Sequence, residues 1–150
     1  MTSKAQELQI LLVEDNPSDA EMTIDALRAS GLMNTVQWLK DGAEALDFLF
    51  GAENAHAADC RRLRLVLLDL RLPRVSGIDV LQAVRADPRT RLLPVVILTS
   101  SQQEKDILRA YDLGANSYLV KPVGSEDFMK SVGELGLYWM LLNQLPGETA

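Results

Sequence analysis

Glu14, Asp15, Asp69, Thr99 and Lys121 each close an apolar run, and as a set they could do chemistry. Asp69 follows Leu65-Val66-Leu67-Leu68, and Glu14-Asp15 follow Ile10-Leu11-Leu12-Val13. A third run ends in Thr99 and a fourth in Lys121-Pro122. Carboxylates forced into one site repel each other, and one pKa is pushed upward. A divalent cation removes that conflict. An oxygen-only ligand set without His or Cys favours Mg2+ over zinc. Asp15 and Asp69 could be direct ligands, with Glu14 acting through water. An aspartate can also act as a nucleophile, as in aspartyl-phosphate chemistry. The Lys121 ammonium and the Thr99 hydroxyl would then face the phosphoryl oxygens.

Such a site needs strands that end side by side. Ile10–Val13 has the continuous apolar character of a buried strand. Asn16 is a good N-cap and Pro17 suits the first helical position, with Ala20, Ile24 and Leu27 at helical spacing and Gly31 as the stop. Val36–Leu39 is a short second strand; a helix over 43–50 closes at Gly51, and 52–63 is a loop. The third strand covers 65–69, and Pro73 and Gly77 punctuate the loop before a helix over 78–86, which Asp87-Pro88 stops. Val95–Thr99 is the fourth strand. Ser101-Gln102-Gln103-Glu104 matches a capping box, which predicts a fourth helix starting there and stopping at Gly114. Ser117–Val120 is the fifth strand, and Ser125 can cap a last helix reaching about Asn143.

Strands interleaved with helices imply an α/β fold with a parallel sheet covered on both faces. The expected form is a flavodoxin-like, doubly wound, five-stranded sheet of order 2-1-3-4-5 with an extended C-terminal helix. In such sheets ligands bind beyond the carboxyl ends of the strands, where strand order reverses. That point lies between strands one and three, which carry Glu14, Asp15 and Asp69.

The chain has 150 residues, is 47% hydrophobic and carries a net charge of −6. One domain with a substantial core is expected. The negative charge argues against nucleic acid or an anionic membrane as partner. The lone Cys60 cannot form an internal disulfide, which fits a reducing cytoplasm. No apolar run is long enough for a membrane span, and none near the N-terminus suits a signal peptide. His56 and Cys60 share a loop but make a poor zinc site without further ligands. Arg61, Arg62 and Arg64 suggest a solvated basic patch, and Trp38 a packing residue.

Five motifs in order carry a resemblance: Val13-Glu14-Asp15-Asn16; Leu67-Leu68-Asp69-Leu70-Arg71-Leu72-Pro73 with Gly77; Leu98-Thr99-Ser100-Ser101; Gly114-Ala115; and Tyr118-Leu119-Val120-Lys121-Pro122. Over roughly residues 8–132 the chain resembles the receiver domains of bacterial two-component response regulators. The resemblance implies that Asp69 accepts a phosphoryl group from the phosphohistidine of a sensor histidine kinase. It implies a Mg2+ held by Glu14, Asp15, Asp69 and the backbone carbonyl of Arg71. Lys121 contacts the phosphoryl group, with a cis bond to Pro122. Thr99 moves toward the phosphoryl group and Tyr118 turns inward, which shifts a population between two states. Arg71 and Ser101 occupy the positions that tune dephosphorylation in that family.

Asp87-Pro88, Leu93 through Thr99, Ala115 through Tyr118 and the tail from Tyr138 to Pro146 narrow the resemblance to the single-domain regulators paired with bacterial phytochromes. The expected layout is one receiver domain over 1–150, with its core at about 8–132 and a dimerisation extension at about 133–146. Phe128, Val132, Leu135, Trp139 and Leu142 form one apolar stripe of the tail, while Leu137, Leu141 and Leu145 point elsewhere. One domain covers one face, so the remainder predicts a homodimer with Tyr138, Trp139, Leu142 and Leu145 at its interface. No output domain follows residue 150, so the output is expected to be a protein contact, a relay step or a phosphate sink. Competing readings are a receiver-like module that is never phosphorylated and a Mg2+ phosphatase. The phosphatase needs a second Asp two residues after the nucleophile, where this chain has Arg71.

Overall fold

The apolar runs become five parallel strands in the order β2-β1-β3-β4-β5, as expected. The structure, a computed structural model, describes residues 10–31, 36–51, 63–121 and 126–139. The strands are β1 (Ile10–Val13), β2 (Val36–Leu39), β3 (Leu65–Leu68), β4 (Val95–Thr99) and β5 (Ser117–Val120). Between and after them lie α1 (Pro17–Ala29), α2 (Gly42–Phe50), α3 (Gly77–Ala86), α4 (Glu104–Asp112) and α5 (Glu126–Leu137). The central strands β1, β3 and β4 are buried along their whole length, whereas the edge strands β2 and β5 are half-buried.

Strand alternation divides the core into two layers. Leu11, Val13, Val66, Leu68, Val95 and Ile97 face α2, α3 and α4 through Ala45, Phe48, Val80, Leu81, Val84 and Ala110. Ile10, Leu12, Leu65, Leu67, Val96 and Leu98 face α1 and α5 through Ala20, Leu27, Phe128 and Val132. Each fully buried aliphatic side chain contributes roughly 1.5–3 kcal/mol. Among the described residues no helix is long and apolar enough to cross a membrane.

Local chemistry fixes the helix starts. The Asn16 side chain accepts from the Asp19 N–H at 3.0 Å, with Pro17 at the first helical position. Asp41 caps α2 by accepting from the Glu44 N–H at 2.7 Å, and Ser76 caps α3 through the Asp79 N–H at 3.2 Å. Gly31 ends α1 at φ +89°, a conformation open to glycine. The capping box expected at Ser101 does not form. Gln103 precedes α4 and makes no side-chain cap. The Ser101 hydroxyl is engaged instead with the Asp106 carboxylate at 2.5 Å and the Gln103 N–H at 3.3 Å.

Register positions the site. Val13 lies opposite Leu39 on one side and Leu68 on the other, so the next residues, Glu14 and Asp69, emerge together. The Glu14 N–H continues the ladder to the Leu39 carbonyl at 3.0 Å, and the Asp69 N–H to the Val13 carbonyl at 3.1 Å. The Lys121 N–H does the same to Thr99 at 2.8 Å. Gly77 opens α3 against the Asp69 carbonyl oxygen and Leu70 Cα, where a Cβ would collide with backbone.

Candidate functional site

Ladder bonds at three strand ends hold the backbone of the cleft, and the side chains then converge. Glu14, Asp15 and Asp69 each offer a carboxylate oxygen, and these lie within 4.8 Å of one another. Glu14 is 1% exposed and Asp69 6%, whereas Asp15 is exposed. The Lys121 ammonium donates to Glu14 Oε1 at 2.8 Å, to Asp19 Oδ2 at 2.8 Å and to Asp69 Oδ2 at 3.1 Å. The Asn16 N–H donates to Glu14 Oε2 at 3.2 Å, and the Arg71 N–H to Asp69 Oδ1 at 3.1 Å.

Burial pushes the Glu14 carboxyl up to about 7, and the neighbouring Asp69 charge adds to the rise. The hydrogen bond and charge of Lys121 and the Asn16 N–H oppose it without cancelling it. Burial on its own would lower the Lys121 ammonium. Its bonds to Asp19 and Glu14 and the charge of Asp69 outweigh that effect and hold it above the ordinary lysine range. The cleft therefore carries more negative charge than its lysine balances. An oxygen-only cluster of this kind fits a hard divalent cation, with Glu14, Asp15 and Asp69 as the residues able to hold it.

Thr99 is fully buried at the end of β4, and its hydroxyl oxygen accepts from the Ser101 N–H at 3.4 Å. The Tyr118 hydroxyl donates to the Ser101 carbonyl at 3.1 Å, and burial raises its pKa. Arg71 approaches Asp106 at 4.0 Å. The loop between β4 and α4 thus ties Thr99, Tyr118 and the first turn of α4 together. Tyr138 is exposed and meets the Trp139 ring edge-on, with centroids 5.0 Å apart. Trp139 itself packs with Leu135 on the chain's own α1–α5 layer. Pro122, His56, Cys60, Arg61, Arg62, Ser125, Leu141, Leu142 and Leu145 lie outside the described residues.

Three contributors were not expected. Asp19 joins the Lys121 cluster from the first turn of α1, where an acidic residue looks like a simple partner of the helix dipole. Trp38 does pack, but its indole N–H also donates to the Glu14 carbonyl at 2.7 Å and steadies that residue. Arg85 donates to the carbonyls of Leu93 at 2.7 Å, Arg91 at 3.2 Å and Gly114 at 2.6 Å, and to Asn116 Oδ1 at 3.0 Å. It pins the end of α3 to the turns that lead into β4 and β5. An arginine in the last turn of α3 reads as a simple partner of the helix dipole, so the sequence carried no signal of these acceptors.

The sequence pattern of the response regulator receiver domain matches residues 10–133. The chain is 44% identical to the probable methanogenesis regulatory protein FilR2 of Methanothrix harundinacea, over 92% of this chain and 87% of that protein. It is 34% identical to the response regulator Rcp1 of Synechocystis, over 91% of this chain and 92% of that protein. The Mn2+-bound structure of Rcp1 superposes with a TM-score of 0.80, covering 93% of this chain and 99% of that one. The bacteriophytochrome response regulator AtBRR is 47% identical, with a TM-score of 0.70, over 92% of this chain and 99% of that one. With the matched pattern covering the whole sheet and every strand end of the cleft, the chain belongs to the response regulator receiver domain family.

Proposed function

We propose that Asp69 is the phosphoryl acceptor of this receiver and that its donor is a sensor histidine kinase. The observation that carries the reading is the Lys121 ammonium, bonded at once to Asp69 and Glu14 inside a cluster of three carboxylates. An Asp69 carboxylate oxygen attacks phosphorus, the P–N bond to histidine breaks, and the imidazole leaves as the P–O bond forms. Lys121 neutralises charge on the transferring group, and the Thr99 hydroxyl donates to a phosphoryl oxygen. Glu14, Asp15, Asp69 and the Arg71 carbonyl are assigned to Mg2+, which supplies charge neutralisation and orientation of the phosphoryl oxygens when bound. The Mn2+ form of Rcp1 supports a divalent cation in this cleft.

Thr99 and Tyr118 are assigned to the switch, because both bond to Ser101 in the loop that leads into α4. The similarity to AtBRR supports a kinase of the bacterial phytochrome type; a cytoplasmic site of action is part of the proposal, on the lone Cys60. A homodimer through the C-terminal extension is part of the same reading, supported by the exposed Tyr138 next to Trp139.

Phosphotransfer from a panel of purified histidine kinases, one of them red/far-red-regulated, tests this. Rapid Mg2+-dependent transfer that favours the light-regulated kinase and disappears in Asp69→Asn is expected. Preference for another kinase would remove the phytochrome link, and binding without transfer would leave an interaction module.

A further inference from the structure

A lysine ammonium has three N–H donors and no acceptor. Here Glu14, Asp19 and Asp69 each accept from it. Glu14 and Asp69 belong to the carboxylate cluster that can hold a metal, and Asp19 does not. With a divalent cation held by Glu14 and Asp69, those two carboxylates would be shared with the metal and the Lys121 ammonium would be repelled by its charge. Asp19 is then the counter-charge left to Lys121. We propose that Asp19 is a positioning residue that anchors the Lys121 ammonium over the cleft while Glu14 and Asp69 serve the cation. This rests on the phosphoryl-acceptor reading above and extends it to a residue outside the acceptor set.

The local structure suits the role. The Asp19 backbone is fixed at both ends of its peptide: its N–H donates to Asn16 Oδ1 at 3.0 Å, and its carbonyl accepts from the Thr23 hydroxyl at 2.8 Å. The next residue, Ala20, is fully buried in the layer between the sheet, α1 and α5. The carboxylate therefore projects from a rigid turn. The Asp19 side chain is 26% exposed and that of Lys121 10%, so solvent screens this pair less than a surface pair. The bond also joins α1 to the end of β5, which no strand pairing does.

Asp19→Asn keeps the size of the side chain and removes its charge. With saturating Mg2+, the 15N resonance of the wild-type Lys121 ammonium should be that of an ordered group. In Asp19→Asn it should be lost to exchange, and Asp19→Glu should restore it. Phosphorylation by a small phosphoramidate donor should fall roughly tenfold in Asp19→Asn and recover in Asp19→Glu. In a Lys121→Ala background, Asp19→Asn should cost nothing further, because Asp19 acts only through the ammonium. An equal loss in both backgrounds would assign Asp19 to the helix terminus alone and overturn the proposal. An ordered ammonium in Asp19→Asn would overturn it as well. If the wild-type protein accepts no phosphoryl group, the acceptor reading falls, and the ammonium resonance alone decides the anchoring.

Discussion

Glu14→Gln should stabilise the metal-free protein at alkaline pH. Glu14 is 1% exposed, and its carboxyl is held at about 7 in place of the ordinary 4.5. Folding raises this pKa, so the native state holds the proton more tightly than the unfolded chain. The stabilisation from the neutral form is complete below 4.5 and is lost as pH rises through about 7. At roughly 1.4 kcal/mol per pH unit, the ionised form lacks about 3 kcal/mol that the neutral form has. Glutamine cannot ionise and keeps it. Urea unfolding in the presence of chelator, repeated from about pH 4.5 to about pH 8, reads this difference directly. The variant should gain about 3 kcal/mol at the alkaline end, roughly 6–12 °C in Tm, and little at the acid end. Other carboxylates titrate in both proteins, so the difference between the two curves isolates Glu14. Adding Mg2+ to about 100 times its Kd should raise the wild type by about 2.7 kcal/mol and the variant by less, closing the gap. A wild type as stable as the variant, or more so, in chelator at the alkaline end would refute the claim that this buried carboxylate is under-compensated.

Arg85→Lys should destabilise the fold by about 2–4 kcal/mol, because one ammonium cannot reproduce a planar fork spread over several carbonyls; chemical denaturation checks it, and a loss no larger than for an exposed arginine would count against the pin. Gly77→Ala should cost at least 1–3 kcal/mol through collision with the Asp69 and Leu70 backbone, and should also slow phosphorylation, since the displaced backbone is that of the acceptor. Trp139→Ala combined with Leu142→Ala should lower the sedimentation coefficient at micromolar protein; an unchanged coefficient would remove the C-terminal extension as the dimer interface.

The sheet was legible because β1, β3 and β4 are buried on both faces and so have no polar positions to obscure them. Right-handed crossovers restrict the strand order without fixing it, and the observed order 2-1-3-4-5 places Glu14 and Asp69 side by side. The boundary of α4 was not legible. The Ser101–Glu104 pattern matches a capping box by spacing alone, whereas the Ser101 hydroxyl turns to Asp106, one turn into the helix. Asp19 and Lys121 are 102 residues apart, and no local pattern marks their meeting. The Trp38 bond to Glu14 is similar: burial was foreseeable, but the partner of the indole N–H depends on the β1–β2 register. Arg85 needed three chain segments to be placed before its acceptors existed.

The most direct test of the central claim is to find where the phosphoryl group goes. After phosphotransfer with Mg2+, borohydride reduction converts an aspartyl phosphate to homoserine, and peptide mass mapping locates it. One modified position, Asp69, is the expected result, absent in Asp69→Asn and formed slowly in Lys121→Ala. Modification at Asp15 or Asp19 with Asp69 intact, or none under conditions where the kinase itself is phosphorylated, would contradict the account.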